Sequence, residues 1–139
     1  RFEAEAMPVV SEERCAVTAQ RMGAWGERLW SDGSQLLCRA QQGGGVELGF
    51  EVRRPGRYRL RMLATAAPDA GTVRVSLDGT ALEPEFDLYA GRVCPAGSLE
   101  LGEHELAAGP HRLRVTAVRK NSASTDFSFG LDAVDLIDM

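Results

Sequence analysis

The sequence predicts an all-β domain, a two-sheet antiparallel β-sandwich, and three observations carry that reading. Hydrophobic residues recur with period two along most of the chain. Turns bearing glycine and proline separate the alternating runs at short intervals. The first and last runs have matching character and read as neighbours that close the structure. Alternation of this kind gives a strand one buried and one wet face. Many short strands at such spacing build a sandwich or a barrel.

In chain order, the opening run Phe2-Glu3-Ala4-Glu5-Ala6 is expected as a strand over residues 1–6. Its Phe2, Ala4 and Ala6 point to the core, and Glu3 and Glu5 share the other face. Strands follow near 15–20 and 34–39, and then Gly43-Gly44-Gly45 precedes a run over 45–53. There Val46, Leu48, Phe50 and Val52 alternate with Glu47, Gly49 and Glu51. Over 56–65, Tyr58, Leu60, Met62 and Ala64 alternate with Arg57, Arg59 and Arg61. Arg54-Pro55-Gly56 reads as a short turn, so these two runs are expected to pair antiparallel. Further strands are expected near 71–78, 84–89, 98–104, 111–119 and 129–137, separated by Asp78-Gly79, Pro95-Ala96-Gly97 and Ala108-Gly109-Pro110. No window of helical length shows a comparable 3.6-residue stripe. Residues 21–33, 65–71 and 119–128 do not alternate. They are expected as loops, where a rigid sandwich carries its function.

The 139 residues fit a single domain over 1–139 with a sizeable core. The net charge of -4 argues against a nucleic-acid partner, which needs a concentrated basic surface. No apolar run is long enough for a membrane span, and the N-terminus carries no signal-peptide pattern. The chain begins at Arg1 inside a strand-like run and so reads as a domain excised from a larger protein. Cys15, Cys38 and Cys94 are odd in number and lack C-x-x-C spacing, which argues against zinc. A Cys15–Cys38 bridge requires neighbouring segments; otherwise these are buried thiols. His104 and His111 are the only histidines, and there is no G-x-S-x-G elbow and no phosphate-cradling loop. No catalytic residue is expected, and the chain reads as an accessory module rather than an enzyme.

Several motifs together resemble the galactose-binding-like, jelly-roll carbohydrate-binding modules of families 6 and 35. They are Glu3-Ala4-Glu5, Pro55-Gly56-Arg57-Tyr58-Arg59-Leu60, Val75-Ser76-Leu77-Asp78-Gly79, Ala108-Gly109-Pro110-His111-Arg112-Leu113 and Leu131-Asp132-Ala133-Val134. Trp30-Ser31-Asp32-Gly33, Asp87-Leu88-Tyr89, Lys120-Asn121-Ser122-Ala123-Ser124 and Phe129-Gly130-Leu131-Asp132 resemble modules of this type appended to bacterial glycan-active enzymes. The resemblance implies a non-catalytic module of a secreted enzyme, with carbohydrate and a linked catalytic domain as its partners. The alternative is a structural module that packs on a catalytic domain or on a copy of itself.

Glu3, Glu5 and Asp132 are the candidate metal ligands, with Asp135 as an extra one. Hard carboxylate oxygens suit Ca²⁺, and the resemblance implies a structural calcium on a Glu-x-Glu and a late Asp. The plain alternative is a solvated strand face with Asp132 capping a turn. For ligand contact the candidates are Trp25, Asp87, Tyr89, Lys120 and Asn121. A sugar ring packs its C–H face on an aromatic, and its hydroxyls pair with amides, carboxylates and cations. Trp30, between apolar neighbours, is expected to be buried instead. Asp87 and Tyr89 are two apart and are expected on one strand face. Asn121 either meets ligand or holds a turn. In the family-6 type the residue before the closing x-Asp is an Asn that binds ligand, and this chain departs from that pattern at Phe129-Gly130-Leu131-Asp132.

Overall fold

Nineteen consecutive residues, Ser34–Val52, form one strand that serves both layers of the molecule. The structure, a computed structural model, describes residues 1–26 and 28–139. Its strands are β1 (Phe2–Glu3), β2 (Val9–Arg21), β3 (Ser34–Val52), β4 (Gly56–Ala66), β5 (Thr72–Leu77), β6 (Thr80–Asp87), β7 (Cys94–Leu106), β8 (Gly109–Arg119) and β9 (Phe129–Asp138). Among the described residues no helix is long and apolar enough to cross a membrane.

The C-terminal half of β3 joins β8, β5 and β6 in one sheet, and its N-terminal half joins β9, β4 and β7 in the other. β2 follows β3 along both halves, and among the described residues every ladder between these strands is antiparallel, with isolated parallel bridges at Ala67–Tyr89 and Ala70–Ser128. The crossing falls at Gly44-Gly45, where only glycine fits. A β-carbon on Gly44 would strike the carbonyl oxygen of Arg14, and one on Gly45 would strike that of Val115. The glycine run expected to precede a strand therefore lies inside one, fusing the expected 34–39 and 45–53 runs.

The runs at 45–53 and 56–65 do not pair, contrary to expectation. β3 bonds to β8 there, while β4 bonds to β7 and β9. The Arg53-Arg54-Pro55 connection carries the chain from one sheet to the other, and the Tyr58 hydroxyl donates to the Arg54 carbonyl at 2.6 Å to hold it. Period-two alternation is the same whether two strands lie side by side or face to face. Val46, Leu48 and Phe50 share one core cluster with Leu60 and Met62, from opposite layers. Each such side chain, fully buried, stabilises the fold by about 1.5–3 kcal/mol.

The two termini meet as expected: Phe2 lies opposite Val134 and Glu3 opposite Ala133. The opening strand is shorter than expected, because Ala4–Ala6 is a 3₁₀ turn. The chain must leave β9 and reach the edge of β3, and this turn changes its direction within three residues. Ala4 is buried, whereas Ala6 is exposed. Register places Cys15 opposite Ala40 and Cys38 opposite Val17. Both thiols are free; the neighbouring Cys15 and burial hold Cys38 protonated, and the proximity of Cys38 shifts Cys15 below the usual thiol range.

Candidate functional site: a cleft on the outer face of the second sheet

On β3, Leu36, Cys38 and Ala40 point into the core, so Gln35, Leu37 and Arg39 look out of the sandwich. Gly130 of β9 lies opposite Leu37 and Thr65 of β4 lies opposite Gly130, which continues this outer surface across three strands. Part of it is covered. Met22 and Trp30 are 1% and 3% exposed, and neither belongs to the main core cluster. They fasten the β2–β3 connection onto the sheet, aided by the Met22 N–H bond to the Gly33 carbonyl at 2.9 Å. Trp30 is buried as the sequence suggested.

Beside this cover lies a cleft of about 230 Å³. Trp25 stands at its edge, 42% exposed. Gln20, Gln35, Thr65 and Gly130 form the strand side, and Asp69, Asp126 and Ser128 come from the loops. Beneath them runs a series of side-chain hydrogen bonds. The Trp30 indole N–H donates to the Thr65 hydroxyl at 2.8 Å, and Thr65 donates to Gln35 Oε1. Gln35 Nε2 then donates to Gln20 Oε1 at 2.8 Å. Thr65 and Gln35 are buried, so these bonds are needed to offset desolvation.

Of the five ligand candidates, only Trp25 borders this cleft. The structure gathers three of the others into a separate cluster. The Asp87 carboxylate accepts the Tyr89 backbone N–H at 2.9 Å and the Asn121 side-chain amide at 3.0 Å. Asp87 ends β6, so it and Tyr89 do not share a strand face; Asp87 holds a turn instead. Asn121 holds one too, its Oδ1 accepting the Ala123 N–H at 3.0 Å. Lys120 folds back to donate to the Ser124 carbonyl at 2.9 Å and lies 5.9 Å from the Phe127 ring centre. Ser124, buried, donates to the Ala70 carbonyl at 2.8 Å. This cluster braces the loop that carries Asp126 and Ser128. Both histidines make short contacts: His104 Nε2 with the Leu101 carbonyl, and His111 with Asp78 and the Ala107 carbonyl.

The carboxylate candidates come together at the other end of the β2–β3 connection. Asp132 accepts the Ser31 N–H on both oxygens, at 3.0 and 3.1 Å. The Ser31 hydroxyl donates to Glu3 at 2.5 Å. One Glu3 oxygen and both Glu5 oxygens are buried with no hydrogen-bond partner among the described residues. Burial raises the Glu5 carboxyl above its usual range, and the charges of Glu3, Asp132 and Asp32 push it further. Burial likewise raises Asp132, against the pull of the Ser31 N–H. Asp135 is different: Arg1 and Arg61 bond it at 2.8 and 2.9 Å and hold it below the usual carboxylate range. It is already neutralised, which removes the reason to count it with the others. Among the described residues no three acidic, histidine or cysteine side chains already surround one point, so the carboxylates must swing inward to share an ion.

Sequence reasoning missed Gln20, Gln35, Arg39 and Asp69 at the cleft and Asp32 at the carboxylates. Gln20 and Gln35 are directly opposite in the β2–β3 register, but that register is not visible without the pairing. Asp32 lies in the quoted Trp30-Ser31-Asp32-Gly33 motif, and both Asp32 and Gly33 have positive φ, 53° and 66°. The turn dipeptide was the available signal.

With this geometry in place, comparison with solved structures shows what the fold is. The chain is similar to part of a Paenibacillus xanthan lyase, with a TM-score of 0.86 and 20% identity, covering 99% of this chain and 13% of that one. It is similar to a family 35 carbohydrate-binding module from Clostridium thermocellum, with a TM-score of 0.62 and 15% identity, over 99% and 96% of the two chains. The C-terminal family 6 module of a marine laminarinase from Zobellia galactanivorans gives a TM-score of 0.56 and 15% identity over 99% and 97%. No protein-family model matches the chain, and no curated protein matches it. The chain therefore has the β-sandwich fold of family 6 and family 35 carbohydrate-binding modules, and it spans about an eighth of the xanthan lyase chain.

Proposed function

We propose that this chain is a non-catalytic carbohydrate-binding module that holds a linked glycan-active enzyme at its polysaccharide, outside the cell. The observation that carries this reading is the exposed Trp25 at the edge of a cleft where amides, carboxylates and hydroxyls from Gln20, Gln35, Asp69, Asp126, Thr65 and Ser128 alternate with apolar side chains. An apolar ring face beside dispersed polar groups matches a sugar, with its C–H faces and ring of hydroxyls. Trp25 stacks on the ligand; Asp87, Tyr89, Lys120 and Asn121, bonded among themselves and to their own loop, brace the segment that brings Asp126 and Ser128 to the cleft. Isothermal titration with xanthan and with laminarin tests the reading. Heat of binding to either one, lost on Trp25→Ala, supports it; no binding by the intact module to either counts against it.

In the same reading Glu3, Glu5 and Asp132, joined by Asp32, hold a structural Ca²⁺. The partnerless buried oxygens of Glu3 and Glu5 support this, because hard oxygen donors without hydrogen bonds are what such an ion takes. The ion would supply charge neutralisation and fasten the N-terminal turn to the Ser31-Asp32-Gly33 segment. The alternative, an assembly module that self-associates, requires a concentration-dependent mass in light scattering and no glycan affinity.

A further inference from the structure

The hydrogen bonds beneath the cleft run in one direction, and the indole sets it. A tryptophan Nε1–H can only donate, so Thr65 Oγ1 accepts from Trp30. Thr65 is buried, and among the described residues its one other side-chain partner is Gln35. If Gln35 turned its NH₂ to Thr65, the hydroxyl proton would be left unpaired inside the protein, which buried groups avoid. The Thr65 proton therefore goes to Gln35, and the facing atom is Oε1. That choice turns the Gln35 NH₂ toward Gln20, where it donates to Oε1. Among the described residues Gln20, half-buried and lining the cleft, uses only its Oε1 within the protein and is left with both protons of its own NH₂.

We propose that Gln20 is a specificity-determining residue, its NH₂ held donor-outward by the Trp30–Thr65–Gln35 series. It takes a ligand oxygen that has lone pairs to offer. Arg39, another group that can only donate, borders the same cleft, while Asp69 and Asp126 bring acceptors from the loops. The cleft thus reads a hydroxylated ligand by polarity: the strand side grips acceptor oxygens, and the loop side takes hydroxyl protons. This inference rests on the carbohydrate reading above and gives it a chemical direction.

The test titrates xanthan and laminarin into the intact module and into two variants. Gln20→Glu still accepts from Gln35 but offers the ligand no proton; Gln20→Met removes the donors without adding charge. Both are expected to weaken binding at least about tenfold, with the Trp30 indole signal in a ¹⁵N NMR spectrum unmoved. Unchanged affinity in both variants overturns the role of Gln20 and leaves the carbohydrate reading standing. No binding by the intact module to either polysaccharide overturns both. In the same spectra the Gln35 amide protons are expected to exchange slowly and the Gln20 NH₂ fast. Equal protection of the two amides would mean that Gln20 spends its donors within the protein, which also overturns the proposal.

Discussion

The side-chain amide of Gln35 lies over the backbone of Gly130, in the space that a β-carbon there would occupy. Its Oε1, Cδ and Nε2 all fall inside contact distance of that position. The two residues are on adjacent strands, with Gly130 opposite Leu37. The family-6 pattern places an asparagine just before the closing x-Asp, where this chain has glycine. Here an amide reaches that neighbourhood from the next strand instead. Glycine at 130 is what lets a buried glutamine lie flat on the sheet and join Thr65 to Gln20.

Gly130→Ala is accordingly expected to displace the Gln35 amide and break the series without removing any polar group. Overpacking of this kind costs about 1–3 kcal/mol. Urea unfolding measures it. The double variant Gly130→Ala with Gln35→Ala should recover part of the loss, because the clash is then gone. A single variant as stable as the parent would mean that the amide has room to move aside, against the geometry given above.

The raised carboxyls of Glu5 and Asp132 make the stability depend on pH, and the proposed calcium site predicts a dependence on that ion as well. Glu5 and Asp132 have raised pKa values in the folded protein. The folded state therefore binds protons more tightly than the unfolded chain, so their contribution to stability falls as pH rises through the window from the ordinary values, 4.5 and 3.8, up to the raised ones. Without metal, this cluster opposes folding at neutral pH and ceases to do so on mild acidification. If the proposed ion binds there, it is expected to reverse the neutral-pH penalty; at a hundred times its dissociation constant a ligand adds about 2.7 kcal/mol. Calorimetric scans with calcium and with EDTA, at neutral pH and near pH 4, should show an increment only at the former. Glu5→Gln should stabilise the metal-free protein at neutral pH and shrink the calcium increment.

Asp135 carries the opposite sign. Its pKa is lowered by Arg1 first and also by Arg61, so its contribution is present above the ordinary value of 3.8 and is lost as pH falls through the depressed one. Both arginines are partly exposed, 42% and 32% at the side chain, and water screens the pairs. Asp135→Asn is therefore expected to cost about 1 kcal/mol at neutral pH, and less as the parent's own carboxylate protonates. Equal loss at all pH values would point to packing rather than charge.

The layers of this fold were legible because apolar residues alternate along most strands, as burial does around Leu60, Met62 and Val115, although in β9 seven consecutive residues, Phe129 to Asp135, are buried. Partner choice was not legible. Val46–Val52 and Tyr58–Ala64 look like a hairpin in sequence, yet they lie in opposite sheets, since alternation records which side is apolar and not which strand is adjacent. The meeting of Glu3 with Asp132 could be inferred because it depends only on the two ends being neighbours. The cleft could not, apart from Trp25. Gln20, Gln35 and Thr65 are ordinary outward residues of three strands, and only the long β2–β3 ladder and the β9–β4 register bring their side chains together. Asn121 shows the converse: conspicuous in sequence, it is occupied with Ala123 and Asp87 once folded.

Trp25 separates binding from folding most cleanly. Its side chain is 42% exposed, on a short 3₁₀ turn held by the N–H of Trp25 itself, which bonds the Met22 carbonyl at 3.0 Å. That bond belongs to the backbone and survives truncation. Trp25→Ala should change unfolding free energy by no more than about 0.5 kcal/mol, as surface substitutions usually do. Binding is another matter: an aromatic anchor at a recognition site contributes about 2 kcal/mol or more. Titration with xanthan and laminarin should therefore show a loss of at least about tenfold in affinity, with the urea midpoint nearly fixed. Trp30→Ala should give the reverse order of effects, since that ring is buried under the connection and its indole N–H is bonded to Thr65. If Trp25→Ala instead lowered stability as much as Trp30→Ala, the ring at 25 would be a packing residue and the cleft would have lost its platform.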